Sequence, residues 1–222
     1  MIKACLFDLD GTLLDTITTI SYYCNLTLER FGIGPIEKER YKFLVGDGAK
    51  LLVERMLREK DAYTQDLYKK AYDFYMESYD ANPTYLTKPY DGIVDMLLEL
   101  KSRGIKAGVI SNKPDYAARS VCSDKIDTAL LHTVRGQIEG IKTKPDTEGA
   151  LNVLSLMGEK AQDTLYIGDT GVDMQTGKNL GAYTIGVLWG FRPYEELVQN
   201  GADRIISHPK DIIDIIEEIN GK

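Results

Sequence analysis

After residue 83 the chain alternates short apolar runs with segments of helical periodicity, and this alternation constrains the fold more than any other feature. The strand-like runs span 105–110, 164–167, 183–188 and 204–207, and the helical patterns span 92–102, 147–157, 172–179 and 209–220. Strands that alternate with helices predict right-handed βαβ units. The sequence therefore predicts an α/β fold with a doubly wound parallel sheet. In such a sheet, ligands bind at the edge formed by the carboxyl ends of the strands.

One further apolar run, residues 2–7, opens the chain and is far from the others in sequence. Between it and the alternating region, residues 16–31 and 36–82 have helical spacing and contain no strand-like run. The simplest organisation is a helical insert within an α/β core. We predict a core domain of residues 1–14 and 88–222 and a helical cap domain of residues 15–87.

A pair of acidic residues directly follows the first predicted strand. Asp8 and Asp10 stand two residues apart and precede Gly11 and Thr12. A carboxylate at a strand end can attack phosphorus and form an acyl phosphate, which divides one difficult hydrolysis into two easier steps. A second carboxylate can protonate the leaving alkoxide and later deprotonate the attacking water. A single Asp-Gly pair is common in turns, but the whole run after a buried strand favours catalysis by Asp8 and Asp10.

The run DLDGTLLD at residues 8–15 resembles the first motif of the haloacid dehalogenase superfamily, and it is closest to the phosphoglycolate phosphatase-like branch. Three further segments resemble the other motifs of that superfamily, in the same order and near predicted strand ends. They are VISNKP at 109–114, KTKPD at 142–146 and YIGDTGVD at 166–173. The resemblance covers the whole chain and implies a Rossmann-like core with an inserted helical cap. It also implies a phosphatase that forms an aspartyl-phosphate intermediate on Asp8.

The same resemblance implies a role for each motif. The residues implied to bind the phosphate group are Gly11, Thr12, Ser111 and Asn112. A hydroxyl and backbone N–H groups at a strand end can hold a phosphoryl oxygen for attack. Lys144, in preference to Lys142, would neutralise negative charge on the nucleophile and on the transferring phosphoryl group.

The fourth motif implies a magnesium ion. Mg²⁺ prefers oxygen ligands, keeps several waters, and needs only one or two carboxylates beside the substrate phosphate. By resemblance, the side chains of Asp8 and Asp169 and the backbone carbonyl of Asp10 would bind it. Asp173 opens the next predicted helix and would support the site through its neighbours instead of binding the ion.

Two features of the predicted cap bear on substrate recognition. Residues 44–50, LVGDGAK, resemble the glycine-containing loop that closes over the substrate in this superfamily, and Lys50 could contact a substrate carboxylate. A simple turn with an exposed lysine is the alternative, and both interpretations stay open. Tyr68, Tyr72, Tyr75 and Tyr79 follow helical spacing, which more often indicates packing than ligand binding.

Charge and cysteine usage narrow the partners and the compartment. The formal net charge of −7 opposes non-specific binding to nucleic acid, and the sequence contains no apolar run long enough to cross a membrane. Cys5, Cys24 and Cys122 are odd in number and lack C-x-x-C spacing, which favours free thiols in the cytoplasm. The expected partner is a small phosphate ester, and both a monomer and a homodimer are compatible with the sequence.

Several activities share such a core, because the fold does not set the substrate. The nominal substrate by resemblance is 2-phosphoglycolate, while sugar phosphates, nucleoside monophosphates and pyrophosphate are alternatives. A hexose-phosphate mutase would use the same nucleophile and return the phosphoryl group to a bound product. A dehalogenase would need neither Mg²⁺ nor an acid–base partner, and a non-catalytic binding module would not need every catalytic position filled.

Overall fold

The computed structural model describes residues 1–221 and contains eight strands and ten α-helices within that range. The strands are β1 (Ala4–Phe7), β2 (Leu14–Asp15), β3 (Lys88–Pro89), β4 (Lys106–Pro114), β5 (Thr133–Gln137), β6 (Thr164–Gly168), β7 (Tyr183–Val187) and β8 (Arg204–Ile206). The helices are α1 (Ile17–Arg30), α2 (Lys38–Tyr41), α3 (Ala49–Glu59), α4 (Gln65–Ala81), α5 (Ile93–Ser102), α6 (Asp115–Lys125), α7 (Glu148–Met157), α8 (Gly171–Leu180), α9 (Tyr194–Gln199) and α10 (Asp211–Asn220). No helix within residues 1–221 combines the length and the apolarity needed to cross a membrane.

Six strands form one parallel sheet in the order β5-β4-β1-β6-β7-β8, which confirms the predicted α/β fold. β1 lies in the centre, and all four of its residues are buried. Burial on both faces explains why it reads as a nearly continuous apolar run. Phe7 is in register with Val109 of β4 and Ile167 of β6, so the residues that follow these three strands meet at one edge.

The sheet has a hydrophobic cluster on each face, because successive side chains of a strand point to opposite sides. On one face, Phe7 of β1 belongs to a cluster that includes Leu97 of α5 and Ile212 of α10. On the other face, Leu6 belongs to a cluster that includes Val153 of α7. The two layers of helices therefore fix the sheet from both sides and leave the loops at its carboxyl edge to carry the chemistry.

Helices α1 to α4 form a helical insert between β2 and β3. These two strands pair antiparallel, with Leu14 opposite Pro89 and Asp15 opposite Lys88, so the chain enters and leaves the insert side by side. The insert, residues 16–87, contributes most of a separate hydrophobic cluster that includes Tyr41 and Met56, and Ala117 and Phe191 of the core complete it. The predicted boundaries at residues 14 and 88 fall within the paired strands.

The structure differs from the prediction at β5 and β4, and it contains two helices, α6 and α9, that were not predicted. β5 went unpredicted because it is an edge strand in which only Gly136 is buried, so its sequence TVRGQ lacks an apolar run. β4 was predicted to end at Ile110 but continues to Pro114, with a shift of register against β5 between these two residues. The Ser-Asn-Lys segment therefore belongs to the irregular end of a strand.

Candidate active site

The structure brings residues from all four motifs together at the carboxyl edge of the sheet. The Nζ atom of Lys144 lies 2.7 Å from Oδ1 of Asp8. Carboxylate oxygens of Asp8, Asp169 and Asp173 all lie within 4.8 Å of one another. Ser111 lines the same cavity as Asp8. Residues up to 165 positions apart in sequence thus share one buried site. Asp8 and Asp169 directly follow the central strands β1 and β6, Ser111 lies near the end of β4, Lys144 lies in the loop before α7, and Asp173 lies in the first turn of α8.

Lys144 is the central cation of this cluster. Its Nζ atom also lies 2.7 Å from Oδ1 of Asp173, and its side chain is only 4% exposed. Burial lowers the pKa of Lys144, but the charges of Asp173 and Asp8 outweigh burial and raise it well above the usual value. Asn112 holds the backbone in place, because its Oδ1 accepts a hydrogen bond of 2.9 Å from the N–H of Lys144. Lys142, in contrast, is 77% exposed.

The cluster carries more negative than positive charge. Three carboxylates lie close together and one lysine contacts two of them, Asp8 and Asp173, which leaves a charge of −2 when all four groups are ionised. Burial and the charge of Asp173 raise the pKa of Asp8 to about 7, although Lys144 opposes the shift. Burial, Asp173 and Asp8 also raise the pKa of Asp169 well above its usual value. Crowded, buried carboxylates of this kind fit a divalent cation, whose charge relieves their repulsion.

Asp173 has hydrogen-bond donors at both oxygens. Oδ1 pairs with Lys144, while Oδ2 accepts hydrogen bonds from the backbone N–H of Thr170 at 3.1 Å and from its hydroxyl at 2.6 Å. Thr170 and Asp173 cap the N-terminus of α8 in a reciprocal capping box. These contacts fit a supporting position for Asp173, which orients Lys144.

Asp169 is held against the first motif. Its Oδ1 accepts a hydrogen bond of 2.8 Å from the hydroxyl of Thr12, and its Oδ2 accepts one of 2.9 Å from the backbone N–H of Phe191. A Cβ atom at Gly11, whose φ is +89°, would lie 2.3 Å from Oδ2 of Asp169. Glycine is therefore required at residue 11 for this close approach. The predicted contacts of Gly11 and Thr12 with phosphate stay predictions.

Asp10 is paired with a lysine to which the sequence analysis gave no role. The Nζ atom of Lys113 lies 3.2 Å from Oδ1 and 3.1 Å from Oδ2 of Asp10, and the lysine side chain is 6% exposed. Burial lowers the pKa of Lys113, but Asp10 and Tyr79 outweigh it and raise the pKa. The position of Lys113 two residues after Ser111 was the available signal. Lysines are rarely buried, so the sequence gave no reason to expect this pair.

A cavity of about 60 Å³ lies between the core and the insert. The core lines it with Asp8, Asp10, Ser111, Asn112 and Lys113, and the insert lines it with Gly46, Gly48, Tyr75 and Tyr79, among other residues. The loop of the insert is packed directly on the core, because Nδ2 of Asn112 donates a hydrogen bond of 3.1 Å to the carbonyl of Gly46. Lys50 is exposed and is not among the described residues that line the cavity. Its contact with substrate stays a prediction.

The raised pKa values predict that the metal-free protein loses stability as the pH rises. Folding raises the pKa of Asp8 from 3.8 to about 7, so the folded state binds more protons between these values. The contribution of Asp8 is therefore fully present below about pH 4 and is lost as the pH rises through about 7. We expect Mg²⁺ to raise the unfolding temperature more at about pH 8 than at about pH 5. Thermal unfolding followed by circular dichroism measures this difference, and an equal gain at both pH values would contradict it.

The sequence matches the family of haloacid dehalogenase-like hydrolases over residues 5–187. This span includes all four motifs and most of the chain. The chain therefore belongs to this family of hydrolases, as its motifs predicted.

Its relatives include several phosphatases. A phosphoglycolate phosphatase of Aquifex aeolicus is 29% identical over 97% of this chain and 97% of its own length. An N-acetylmuramic acid 6-phosphate phosphatase of Pseudomonas aeruginosa is 30% identical over 97% of this chain and 95% of its own length. The chain is thus similar along its whole length to enzymes that act on different phosphate esters.

Solved structures show the same fold. A Lactobacillus delbrueckii subsp. bulgaricus protein, provisionally named a phosphoglycolate phosphatase, superposes with a TM-score of 0.91 at 27% identity and covers 96% of this chain and 98% of its own. A Thermotoga maritima protein, provisionally named a β-phosphoglucomutase, superposes with a TM-score of 0.73 at 19% identity and covers 98% of this chain and 100% of its own. The second similarity shows the fold alone.

Proposed function

We propose that this protein is a magnesium-dependent phosphatase that hydrolyses a small phosphate monoester, nominally 2-phosphoglycolate, through an aspartyl-phosphate on Asp8. The observation that carries the proposal is the buried cluster of Asp8, Asp169 and Asp173, in which Lys144 contacts Asp8 and Asp173. Membership of a hydrolase family and the phosphatase names of the relatives support it.

The residues present fit a magnesium site, since three buried carboxylates lie within 4.8 Å of one another. By resemblance to the family, the carboxylates of Asp8 and Asp169 and the backbone carbonyl of Asp10 would hold the ion, while Asp173 would support the site through Lys144. When bound, Mg²⁺ would neutralise the negative charge that phosphate and nucleophile bring together. Lys144 adds a second positive charge beside the carboxylate of Asp8.

In the first step, a carboxylate oxygen of Asp8 attacks the phosphorus of the ester, and the bond from phosphorus to the leaving oxygen breaks. Asp10 donates a proton to that oxygen, so the product leaves as an alcohol. Ser111 and Asn112 would hold the phosphoryl oxygens in line with Asp8. Lys113 keeps the carboxyl group of Asp10 in place through its two contacts.

In the second step, a water molecule attacks the phosphorus of the aspartyl-phosphate. Asp10, which is now ionised, accepts a proton from the water, and the bond from phosphorus to Asp8 breaks. Inorganic phosphate leaves, and both carboxyl groups return to their starting states. The same residue acts as acid and then as base, so it must remain close to the phosphoryl group throughout.

The helical insert is proposed to act as a cap that excludes water and selects the substrate. Its loop contacts Asn112 of the core, and the cavity of about 60 Å³ between core and insert is compatible with a short ester. The free and buried thiols Cys5, Cys24 and Cys122 support a reducing, cytoplasmic location. No contact within residues 1–221 favours a mutase over a phosphatase.

Metal removal tests the proposed function. Phosphate release from a panel of small esters, 2-phosphoglycolate among them, is expected to require Mg²⁺ and to fall at least about a hundredfold after chelation, because the repulsion of the carboxylates then opposes the bound phosphate. Addition of Mg²⁺ should restore the rate. Undiminished turnover after chelation would contradict the metal dependence, and a requirement for an activating bisphosphate would favour the mutase.

A further inference from the structure

The insert contributes one buried hydroxyl to the cavity that the fold leaves unsatisfied. Tyr79 of α4 lines the cavity and is only 4% exposed. Its hydroxyl has no hydrogen-bond partner among the residues that the structure describes. An unpaired buried hydroxyl destabilises a fold, and such groups in native proteins need an explanation. A ligand that accepts a hydrogen bond from Tyr79 would supply one.

Lys113 of the core lies beside this hydroxyl. Its Nζ atom is 4.8 Å from the centroid of the Tyr79 ring. Its hydrogen bonds of 3.1 and 3.2 Å go to Asp10, and its ammonium group also faces the hydroxyl of Tyr79 without a hydrogen bond of normal length. An ammonium group has three N–H donors and no acceptor, so Lys113 has donor capacity left for a ligand. Lys113 and Tyr79 thus place two donors, one of them charged, at one side of the cavity.

The neighbouring wall is apolar. Side chains that line it include Ile20, Leu52, Met76 and Ala117. A charged group of a substrate would lose its hydration here and would need a partner of opposite charge. Lys113 supplies that charge, and Tyr79 supplies a second donor. A group with acceptors only and a negative charge fits both, whereas an amine fits neither.

We infer that Lys113 and Tyr79 bind the carboxylate at the non-transferring end of the substrate and thereby determine specificity for short phosphorylated acids. The inference rests on the proposed function, in which Asp10 hydrogen-bonds to the leaving oxygen of the ester. Lys113 contacts Asp10 at 3.1 Å. A carboxylate one carbon from the leaving oxygen is therefore within reach of Lys113. The contacts from the leaving oxygen to Asp10, from Asp10 to Lys113 and from Lys113 to the carboxylate each span about one hydrogen-bond length of 2.7–3.1 Å.

A pair of matched esters tests this assignment. 2-Phosphoglycolate carries the carboxylate, and ethyl phosphate has a methyl group in its place. In the wild type we expect a higher kcat/KM for the carboxylate ester. Tyr79→Phe should lower that kcat/KM about ten- to a hundredfold, because a hydrogen bond to a charged group is lost, and should change ethyl phosphate less than about threefold. The ratio of kcat/KM for 2-phosphoglycolate to kcat/KM for ethyl phosphate is the readout, because an effect on the chemical step that both esters share cancels in it.

A second readout separates recognition from a structural role. Tyr79→Phe removes an unsatisfied hydroxyl, so it should raise the unfolding temperature by a few degrees. Tyr72→Phe removes a hydroxyl from the same helix outside the cavity and should leave the ratio unchanged. Lys113→Gln should lower kcat for both esters through Asp10 and should also lower the ratio.

The possible outcomes distinguish this inference from the proposed function. An equal loss of kcat/KM on both esters in Tyr79→Phe would overturn the inference. A ratio that falls in Lys50→Ala but not in Tyr79→Phe would overturn it as well. Equal wild-type rates on the two esters, or activity on other phosphate esters only, would overturn carboxylate recognition and leave the phosphatase assignment intact. Failure to hydrolyse any phosphate ester with Mg²⁺ would contradict the proposed function and this inference together.

Discussion

Asp8→Asn is expected to lower kcat at least about 10⁴-fold, because the variant lacks the nucleophile on which both chemical steps depend. The fold should survive, because asparagine has the shape of aspartate and removes one of three crowded carboxylates. Steady-state phosphate release measures the loss, and circular dichroism checks the fold. The unfolding temperature of the metal-free variant should equal or exceed that of the wild type.

Residual activity in this variant needs a control, because asparagine can deamidate to aspartate. Asp8→Ala cannot regenerate the nucleophile and should lose activity to the same degree or more. Asp66→Asn, at a 79% exposed side chain on α4, should keep wild-type activity. Turnover of Asp8→Ala within tenfold of the wild type would show that Asp8 is not the nucleophile.

Lys144→Met is expected to abolish activity and also to destabilise the metal-free protein by about 3–5 kcal/mol at about pH 8. Removal of this cation leaves buried carboxylates without a partner, since Lys144 contacts both Asp8 and Asp173 at 2.7 Å. At about pH 5 the penalty should be smaller, because protonated carboxyl groups need no cation. Urea unfolding at both pH values measures the difference in the free energy of unfolding.

Lys142→Met is the matched control, because it makes the same chemical change two residues away in the same loop. The Lys142 side chain is 77% exposed and lies 3.5 Å from Asp146. Its replacement should change the free energy of unfolding by no more than about 0.5 kcal/mol and should leave kcat unchanged. Equal effects of the two substitutions would contradict the central position given to Lys144.

The fold could be predicted where a segment is buried on both faces. β1 and β6 read as apolar runs because each is covered by helices on both sides of the sheet. β5 could not be recognised, since an edge strand exposes polar side chains. The order of the strands also went unpredicted, because pairing between β1 and β4 depends on contacts about 100 residues apart. Local patterns do not contain that information.

In the candidate site, too, local sequence patterns predicted some residues, while others depend on long-range packing. Asp8, Ser111 and Asp169 could be chosen from the sequence because each lies at the end of a strand-like run, and parallel strands end at one edge. The pair of Lys113 with Asp10 and the position of Tyr79 depend on how the insert packs over the core. The tyrosine spacing predicted packing, and Tyr75 and Tyr79 are indeed buried, but it did not show that both line a cavity.

A covalent phosphoryl group on Asp8 is the most direct test of the account. Asp10→Asn should accumulate it from an aryl phosphate, because this leaving group needs no proton whereas the second step still needs the base. Rapid acid quenching with ³²P-labelled ester, followed by peptide mapping, should find label on the peptide of Asp8, labile to hydroxylamine and absent in Asp8→Ala. Phosphate release with no label on that peptide, or with label elsewhere, would contradict the proposed mechanism.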